Sequence, residues 1–278
     1  MDVDPRDAGS RVRQAAQPGG KMVASKSRSG GDEMMREVIG FENVKKSFAQ
    51  RQESVTAIEK LSFSIGKGEY VCVLGRSGCG KSTMINLLLG LSSPTAGAVR
   101  VSGLDPYNDF DALRGRIGCV FQNDRLLPWR TALENAILPL ELKDHAKAQH
   151  HDRGERLLAR LGLSKFVNAY PHELSGGMRQ RVAIARAIAS GPEILLADEP
   201  FGHLDAATGS ELREEFREIW RRDGTTVFHV THSIDEAIEL ATRIIVLAPP
   251  GQIVAEYDLA EQDRDHTTLR REIASRIH

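Results

Sequence analysis

The chain has 278 residues, 41% of them hydrophobic and 27% charged, with 37 Lys and Arg against 38 Asp and Glu. That apolar content is enough to close a substantial core, which excludes a chain disordered throughout. The near-cancelling charge excludes a long-range field that would draw nucleic acid or acidic lipid, so any polyanion bound here is bound locally.

Residues 1–35 mix Gly, Ser, Pro, Ala and both charge signs with no apolar period, and read as a disordered N-terminal extension. From residue 36, "EVIGFENVKKSF" and "SVTAIEKLSFSI" alternate apolar positions and predict two antiparallel strands ahead of a buried one. The buried strand is "YVCVLG", a short apolar run of the kind covered on both faces. Between about 124 and 189 the spacing turns helical: "TALENAILPLEL" and "HDRGERLLARLGL" carry apolar residues three and four apart, which predicts a helical insertion. Strand-like runs return at "EILLAD", "TTVFHV" and "RIIVLA", separated by helices such as 206–222, where Leu212, Phe216, Ile219 and Trp220 mark one buried face. Strands alternating with helices imply an α/β fold around a parallel sheet, one domain over 36–260 with an inserted helical subdomain, followed by a helical tail over 261–278.

No run reaches the roughly 18 consecutive apolar residues of a membrane span, and the N-terminus lacks the apolar core of a secretory signal. The three cysteines, Cys72, Cys79 and Cys119, lack metal-ligand spacing and suit a reducing, cytosolic compartment.

The stretch "GRSGCGKST" follows the buried strand and leads into "MINLLLGL", which satisfies the phosphate-loop pattern in its strand, turn, helix setting. Gly75, Arg76, Ser77, Gly78, Cys79, Gly80, Lys81, Ser82 and Thr83 form this loop. Its glycines turn backbone N–H groups toward a phosphate, Lys81 reaches the β and γ phosphates, and the Ser82 hydroxyl ligates Mg²⁺. "ILLADEP" places Asp198 at a strand's C-terminal end, near that Mg²⁺, and Glu199 next to it, suited to orienting the attacking water. In "LSGGMRQRV", Ser175 reads as a helix N-cap, with Met178, Val182, Ala185 and Ile188 on the core face. A cap alone leaves Gly176, Gly177 and the polar "RQR" without a role; paired glycines expose N–H groups that suit an anion.

"LSGGMRQRV" resembles the signature of ATP-binding cassette (ABC) proteins, and other cassette landmarks occur in the family's order over residues 36–258. Phe48 stands where an aromatic stacks on adenine, Gln122 in "VFQ" where a glutamine reaches toward Mg²⁺ and water, Asp205 in "GHLD" where the D-loop lies, and His232 in "VTHSIDEA" where the switch histidine meets the γ-phosphate. Taken singly, Phe48 reads as core and His232 as a cap or surface group; their spacing from the stronger motifs favours the family roles. His229, inside an apolar run, reads as a core or sheet residue. The resemblance implies a P-loop cassette: a mostly parallel core sheet, an antiparallel β subdomain and an inserted α-helical subdomain. It implies an ATPase using ATP and Mg²⁺, with Glu199, His232, Gln122 and Lys81 catalytic and Ser82, Gln122 and Asp198 at the metal. It also implies a homodimer in which Ser175, Gly176 and Gly177 of one cassette close on the ATP of the other.

The segment "NDRLLPWRTALENAILPL" lies where the family touches a membrane subunit, and "LLPWRTALEN" resembles importers of nitrate, aliphatic sulfonate, taurine and related small anions. Trp129 reads either as an exposed anchor for that contact or as a subdomain core residue. The implied assembly has two permease subunits and, indirectly, a periplasmic or extracellular solute-binding protein, with this chain peripheral on the cytoplasmic face of the membrane and no nucleic acid partner. The short stretch after His232 leaves no room for the regulatory domain of sugar-type importer motors, and "RIIVLAPPGQIVAEYDL" also resembles the small-anion group. An exporter or lipid-extraction motor would use the same cassette. A soluble cassette for DNA repair or translation would need a coiled-coil insertion or tandem cassettes, and a P-loop GTPase would need a base-reading N/T-K-x-D motif. Three positions depart from the family pattern: Arg76 for proline or histidine, Phe48 for tyrosine, and His203 for a small D-loop residue, where a bulky ring would alter communication between the two ATP sites.

Overall fold

The computed structural model describes residues 37–50, 53–143, 147–202, 204–259 and 265–277, all within one unit spanning Met35–His278. The extension expected over 1–35 lies outside the described residues. Strands β1 (Glu37–Gln50) and β2 (Glu53–Gly66) pair antiparallel, and β3 (Tyr70–Gly75) is buried along its whole length, as its unbroken apolar run requires. Helix α1 (Lys81–Leu88) follows, then β4 (Ala96–Val101), which joins β1 to complete a three-stranded antiparallel sheet. Next come β5 (Ile117–Val120) and the helices α2 (Ala132–Lys143), α3 (Lys147–Arg160) and α4 (Gly176–Ile188). The remainder alternates: β6 (Ile194–Asp198), α5 (Ala206–Asp223), β7 (Thr226–Thr231), α6 (Ile234–Leu240), β8 (Arg243–Ala248), β9 (Gln252–Asp258) and α7 (His266–Ile277).

The second sheet runs β5-β6-β7-β3-β8-β9, parallel throughout except for antiparallel β9 at its edge. Its central strand divides the hydrophobic interior by simple alternation. Tyr70, Cys72 and Leu74 join the core built with the inserted helices and α5. Val71 and Val73 face the other way, into the core closed by the antiparallel sheet and α1. On α5, Leu212, Phe216 and Ile219 are buried and Trp220 packs partly buried beside them.

In the insert, Leu133, Ala136, Ile137 and Leu140 form the buried stripe of α2 at helical spacing. Thr131 and Glu134 start this helix as a reciprocal box: the Thr131 N–H donates to Glu134 Oε2 at 2.8 Å, and the Glu134 N–H donates to Thr131 Oγ1 at 3.2 Å. The strands β4, β5 and β9 were not anticipated from the sequence. Each is short or half-exposed, and none shows a long apolar run.

Asn135, fully buried, fixes the loop that carries Trp129. Its Oδ1 accepts from Leu127 N at 2.8 Å, and its Nδ2 donates to the carbonyls of Leu127, Arg130 and Thr131 at 3.1, 3.0 and 3.0 Å. Replacing it strands buried backbone groups. Asn135→Ala is expected to lower the unfolding free energy by about 1–3 kcal/mol, read from urea denaturation. A loss below the error of the fit would show that the loop holds without it.

Candidate functional site

A cleft of about 350 Å³ opens at the C-terminal ends of β3 and β6, where an open α/β sheet presents its ligand crevice. Ser77, Gly78, Gly80, Lys81, Ser82 and Thr83 line it from the loop after β3, and Gln122, Asp198 and Glu199 line it from across the sheet. Gly80 takes φ +98°, and a Cβ there would stand 2.7 Å from the Ala57 carbonyl oxygen. Gly78, at φ +82°, has nothing within 4 Å of its would-be Cβ, so its missing side chain leaves the mouth of the loop open. No side chain caps the N-terminus of α1, whose first N–H groups therefore remain for an anion.

Lys81 is only 8% exposed, yet among the described residues its ammonium meets no carboxylate within ion-pair distance. Nζ donates to the carbonyls of Gly75 at 2.6 Å and Arg76 at 3.1 Å, which aims the charge without neutralising it. A nearly buried, unneutralised cation beside free helix N–H groups fits a phosphate. Cys79 has a different place from its neighbours. Its side chain is buried beneath the loop, 3.9 Å from Nζ, and burial pushes its thiol up.

Opposite, burial and then the charge of Glu199 raise the Asp198 carboxyl above its ordinary value, with Lys81 pulling the other way. Glu199 has φ +46°, the left-handed region that non-glycine residues rarely occupy. Its N–H donates to Val230 O at 2.9 Å. Its carboxylate is held on two sides, by Gln122 Nε2 on Oε2 at 3.1 Å and by His232 Nδ1 near Oε1 at 3.2 Å. His232 is placed by its neighbours: Ser233 caps α6 through Glu236 N, and Thr231 Oγ1 donates to the buried Glu236 Oε2 at 2.7 Å while accepting from Ser233 N at 3.0 Å.

Among the described residues no three His, Cys, Asp or Glu side chains cluster as metal ligands. The cleft instead offers the Ser82 hydroxyl, the Asp198 carboxylate and the Gln122 amide oxygen, whose nitrogen is already committed to Glu199. These oxygen donors fit a hard cation of the Mg²⁺ type.

The signature lies outside this cleft. Ser175 caps α4 by accepting from Met178 N at 3.3 Å, and Gly176 lines a separate recess of about 320 Å³. The "RQR" side chains turn out to bind within the chain. Arg179 Nε donates to Asp124 Oδ2 at 2.9 Å, and Gln180 Nε2 donates to Pro200 O at 2.7 Å. Asp205 caps α5 by accepting from Thr208 N at 3.1 Å, away from the cleft. Phe48 is 41% exposed on β1, with Lys46 Nζ 5.0 Å from its ring centroid, and is not among the cleft-lining residues. Two contributors went unread in the sequence. Ala57 lines the cleft, and Arg186 donates to the carbonyls of Asp124 at 2.6 Å and Arg125 at 2.8 Å. Neither carries a local signal, since a lone alanine and a helical arginine gain their roles only from chain segments far away.

Residues 58–202 match the family described as ABC transporter. The chain belongs to that family. This cassette is 44% identical over 213 residues to the taurine import ATP-binding protein TauB of Burkholderia pseudomallei, spanning 76% of this chain and 80% of the relative. It is 40% identical over 244 residues to the bicarbonate transport ATP-binding protein CmpD of Synechocystis, spanning 84% of each. Its fold matches a dimeric ATP-binding cassette in a post-hydrolysis state bound to ADP and Pi, with TM-score 0.72 and 38% identity, over 80% of this chain and 98% of that one. The ABC ATPase fold and family are thereby established, in agreement with the sequence reading.

Trp129 is 70% exposed, which removes it from the core of the cassette's helical insert. His203 lies outside the described residues. His229 is fully buried in β7, its Nδ1 3.1 Å from Tyr70 Oη and 3.5 Å from Cys72 Sγ. Burial lowers its pKa from 6.5 to about 3. The unfolded chain therefore takes up a proton there that the folded chain refuses. His229 contributes stability above about pH 6.5 and loses it as pH falls toward 3, at up to about 1.4 kcal/mol per pH unit. His229→Gln should flatten that part of the stability profile measured by denaturation between pH 6.5 and 4.5; an unchanged slope would remove His229 as its source.

Proposed function

We propose that this cassette is the ATP-hydrolysing subunit of an importer for a small anion, acting as a homodimer under two permease subunits on the cytoplasmic face of the membrane. The observation that carries the hydrolytic reading is the Glu199 carboxylate, held between Gln122 and His232 at the edge of the Lys81 cleft. A carboxylate gripped at both oxygens has a fixed direction, which is what a group orienting an attacking water needs. Lys81 and the amides of Gly78 to Thr83 would hold the phosphates, and Ser82, Asp198 and Gln122 would hold Mg²⁺, which would supply neutralisation of phosphate charge. His232 and Gln122 stabilise and position, and the exposed Phe48 stacks on the adenine.

Ser175, Gly176 and Gly177 serve the partner's ATP. Their place outside their own cleft supports this, as does the approach of Gly177 to α5, where a Cβ would lie 2.7 Å from Thr208 Cγ2. The signature and the Asp205 cap thus adjoin on one face, suited to meeting a second copy head to tail. The γ-phosphate supplies contacts only a closed dimer makes, and its loss reopens the pair. Trp129, exposed on a rigid loop, is the anchor for the permease. Small-anion cargo rests on the relatives named for taurine import and bicarbonate transport, and on the "LLPWRTALEN" string. The periplasmic or extracellular solute-binding protein meets the cargo without touching this chain.

Glu199→Gln is expected to bind ATP and dimerise normally while single-turnover hydrolysis falls about 10²–10⁴-fold; near-normal turnover would take Glu199 out of the role. Sharing of sites is tested by mixing subunits. Lys81→Ala and Gly177→Glu homodimers should both be inactive, whereas a mixed dimer keeps one intact composite site and recovers part of the activity. No recovery in proven heterodimers would overturn the trans arrangement. For cargo, deletion of the gene should abolish cellular uptake of labelled taurine, another sulfonate, nitrate or bicarbonate, and Trp129→Ala should prevent copurification with the permease. Intact uptake of all four classes would exclude small-anion import.

A further inference from the structure

On the side of the molecule away from the ATP cleft, a recess of about 450 Å³ lies between α3 and the turn joining α5 to β7. Arg153, Arg156 and Arg160 line it from α3, and Arg222, Asp223 and Thr225 line it from the core. The three α3 arginines are spaced three and four apart, so they share one helix face. Among the described residues none of the three makes an ion pair or a side-chain hydrogen bond. Arg153 lies over Gly191, where a Cβ would stand 3.2 Å from its Nη2. Only Arg222 has a carboxylate, Asp223, at 2.8 Å.

Four guanidinium groups and one lining carboxylate, Asp223, thus face a shared concavity, with Glu218 near enough to act on Arg160 from outside the lining. Their mutual cost is visible at Arg160, whose pKa is lowered first by burial and then by the charge of Arg222, against the opposing pull of Asp223 and Glu218. Surface arginines usually point apart or pair with carboxylates, and the volume here falls in the range of small-ligand sites. Guanidinium forks match phosphate oxygens two at a time.

We propose that this recess binds a soluble, compact polyanion bearing two or more phosphate groups, bridged between the helical insert through Arg153, Arg156 and Arg160 and the core through Arg222. A local excess of positive charge in a chain of net charge −1 selects a short multivalent anion over a long polymer. The ligand would tie α3 to the α5–β7 turn, two segments that the ATP site does not touch.

The test uses the full chain carrying Lys81→Ala, which disables the phosphate loop, titrated with tripolyphosphate by calorimetry at low ionic strength. The expected result is saturable binding at one site per chain that weakens on adding salt. Arg156→Ala with Arg160→Ala should weaken it by about tenfold or more, and the corresponding pair of lysine substitutions should weaken it less because the charge remains. These side chains are exposed, and unchanged thermal melting will show that the variants are folded. Arg222→Gln provides an independent variant from the other wall. The proposal is overturned by absence of saturable binding in the Lys81→Ala chain, by arginine variants that bind like their parent, or by binding through these residues only to anionic lipid vesicles.

Discussion

The arrangement turns on one backbone hydrogen bond, from Glu199 N–H to Val230 O. It continues the β6–β7 ladder one residue past the end of β6, and Glu199 then leaves the strand in the left-handed region, at a cost of roughly 1–2 kcal/mol. The following turn holds that conformation in place. Gly202 N–H returns to Glu199 O at 3.2 Å, Pro200 O accepts from Gln180 on α4, and Phe201 is buried edge-on against Phe216 and His229, each 5.8 Å away. With its backbone fixed from both sides, the carboxylate has one place to go, between Gln122 and His232. Local strain at a site is maintained by the packing around it.

That packing is unusual in being polar at its centre. Tyr70, His229, Thr231 and Glu236 sit within the sheet and its α6 cover, where apolar residues would be expected. Tyr70 and His229 satisfy each other, and Thr231 joins Glu236 to Ser233. The only break is His229 Nε2, which has no hydrogen-bond partner and lies 3.9 Å from Glu236 Oε2. Apart from that atom the cluster is hydrogen-bonded, and directional bonds specify one geometry more strictly than an oily contact does. Its outlet is the backbone of His232, so the rigidity of the sheet's middle is delivered to the residue beside Glu199.

Such features divide by range in sequence. The β3 strand, the phosphate loop and α1 were legible because strand, glycine turn and helix follow one another within a few residues. The same holds for β6 with Asp198 and Glu199, and for Ser175 as a cap. What could not be read was any partner at a distance. "RQR" in the signature had no role on the cap reading, and its partners are distant: Arg179 and Gln180 reach Asp124 and Pro200, 55 and 20 residues away. Trp129 was ambiguous because an apolar ring suits a core and an anchor equally. Its 70% exposure, on the loop that Asn135 holds through Leu127, takes it out of the core and leaves the anchor role as the proposal. β5 was missed because four residues carry no period, and its position is set by pairing with β6.

Those distant partners also give the proposed dimer a route for communication. Helix α4 bears the signature, which serves the neighbour's ATP in that reading, and is tied to two segments of its own chain's site. Arg186 grips the carbonyls of Asp124 and Arg125, just beyond Gln122, and Gln180 grips Pro200, just beyond Glu199. The half-exposed Arg179–Asp124 pair adds little energy by itself, since exposed ion pairs contribute only about 0–1 kcal/mol. The charged Arg186 bonds to backbone and the buried Gln180 bond are the stiffer links, of order 1–3 kcal/mol each. Under the proposed mechanism, a shift of Gln122 or Glu199 on loss of a γ-phosphate would pull on α4 through these bonds. In the proposed dimer, α4 as a single helix would carry that pull to Ser175 and the neighbouring site, along a contiguous run of backbone.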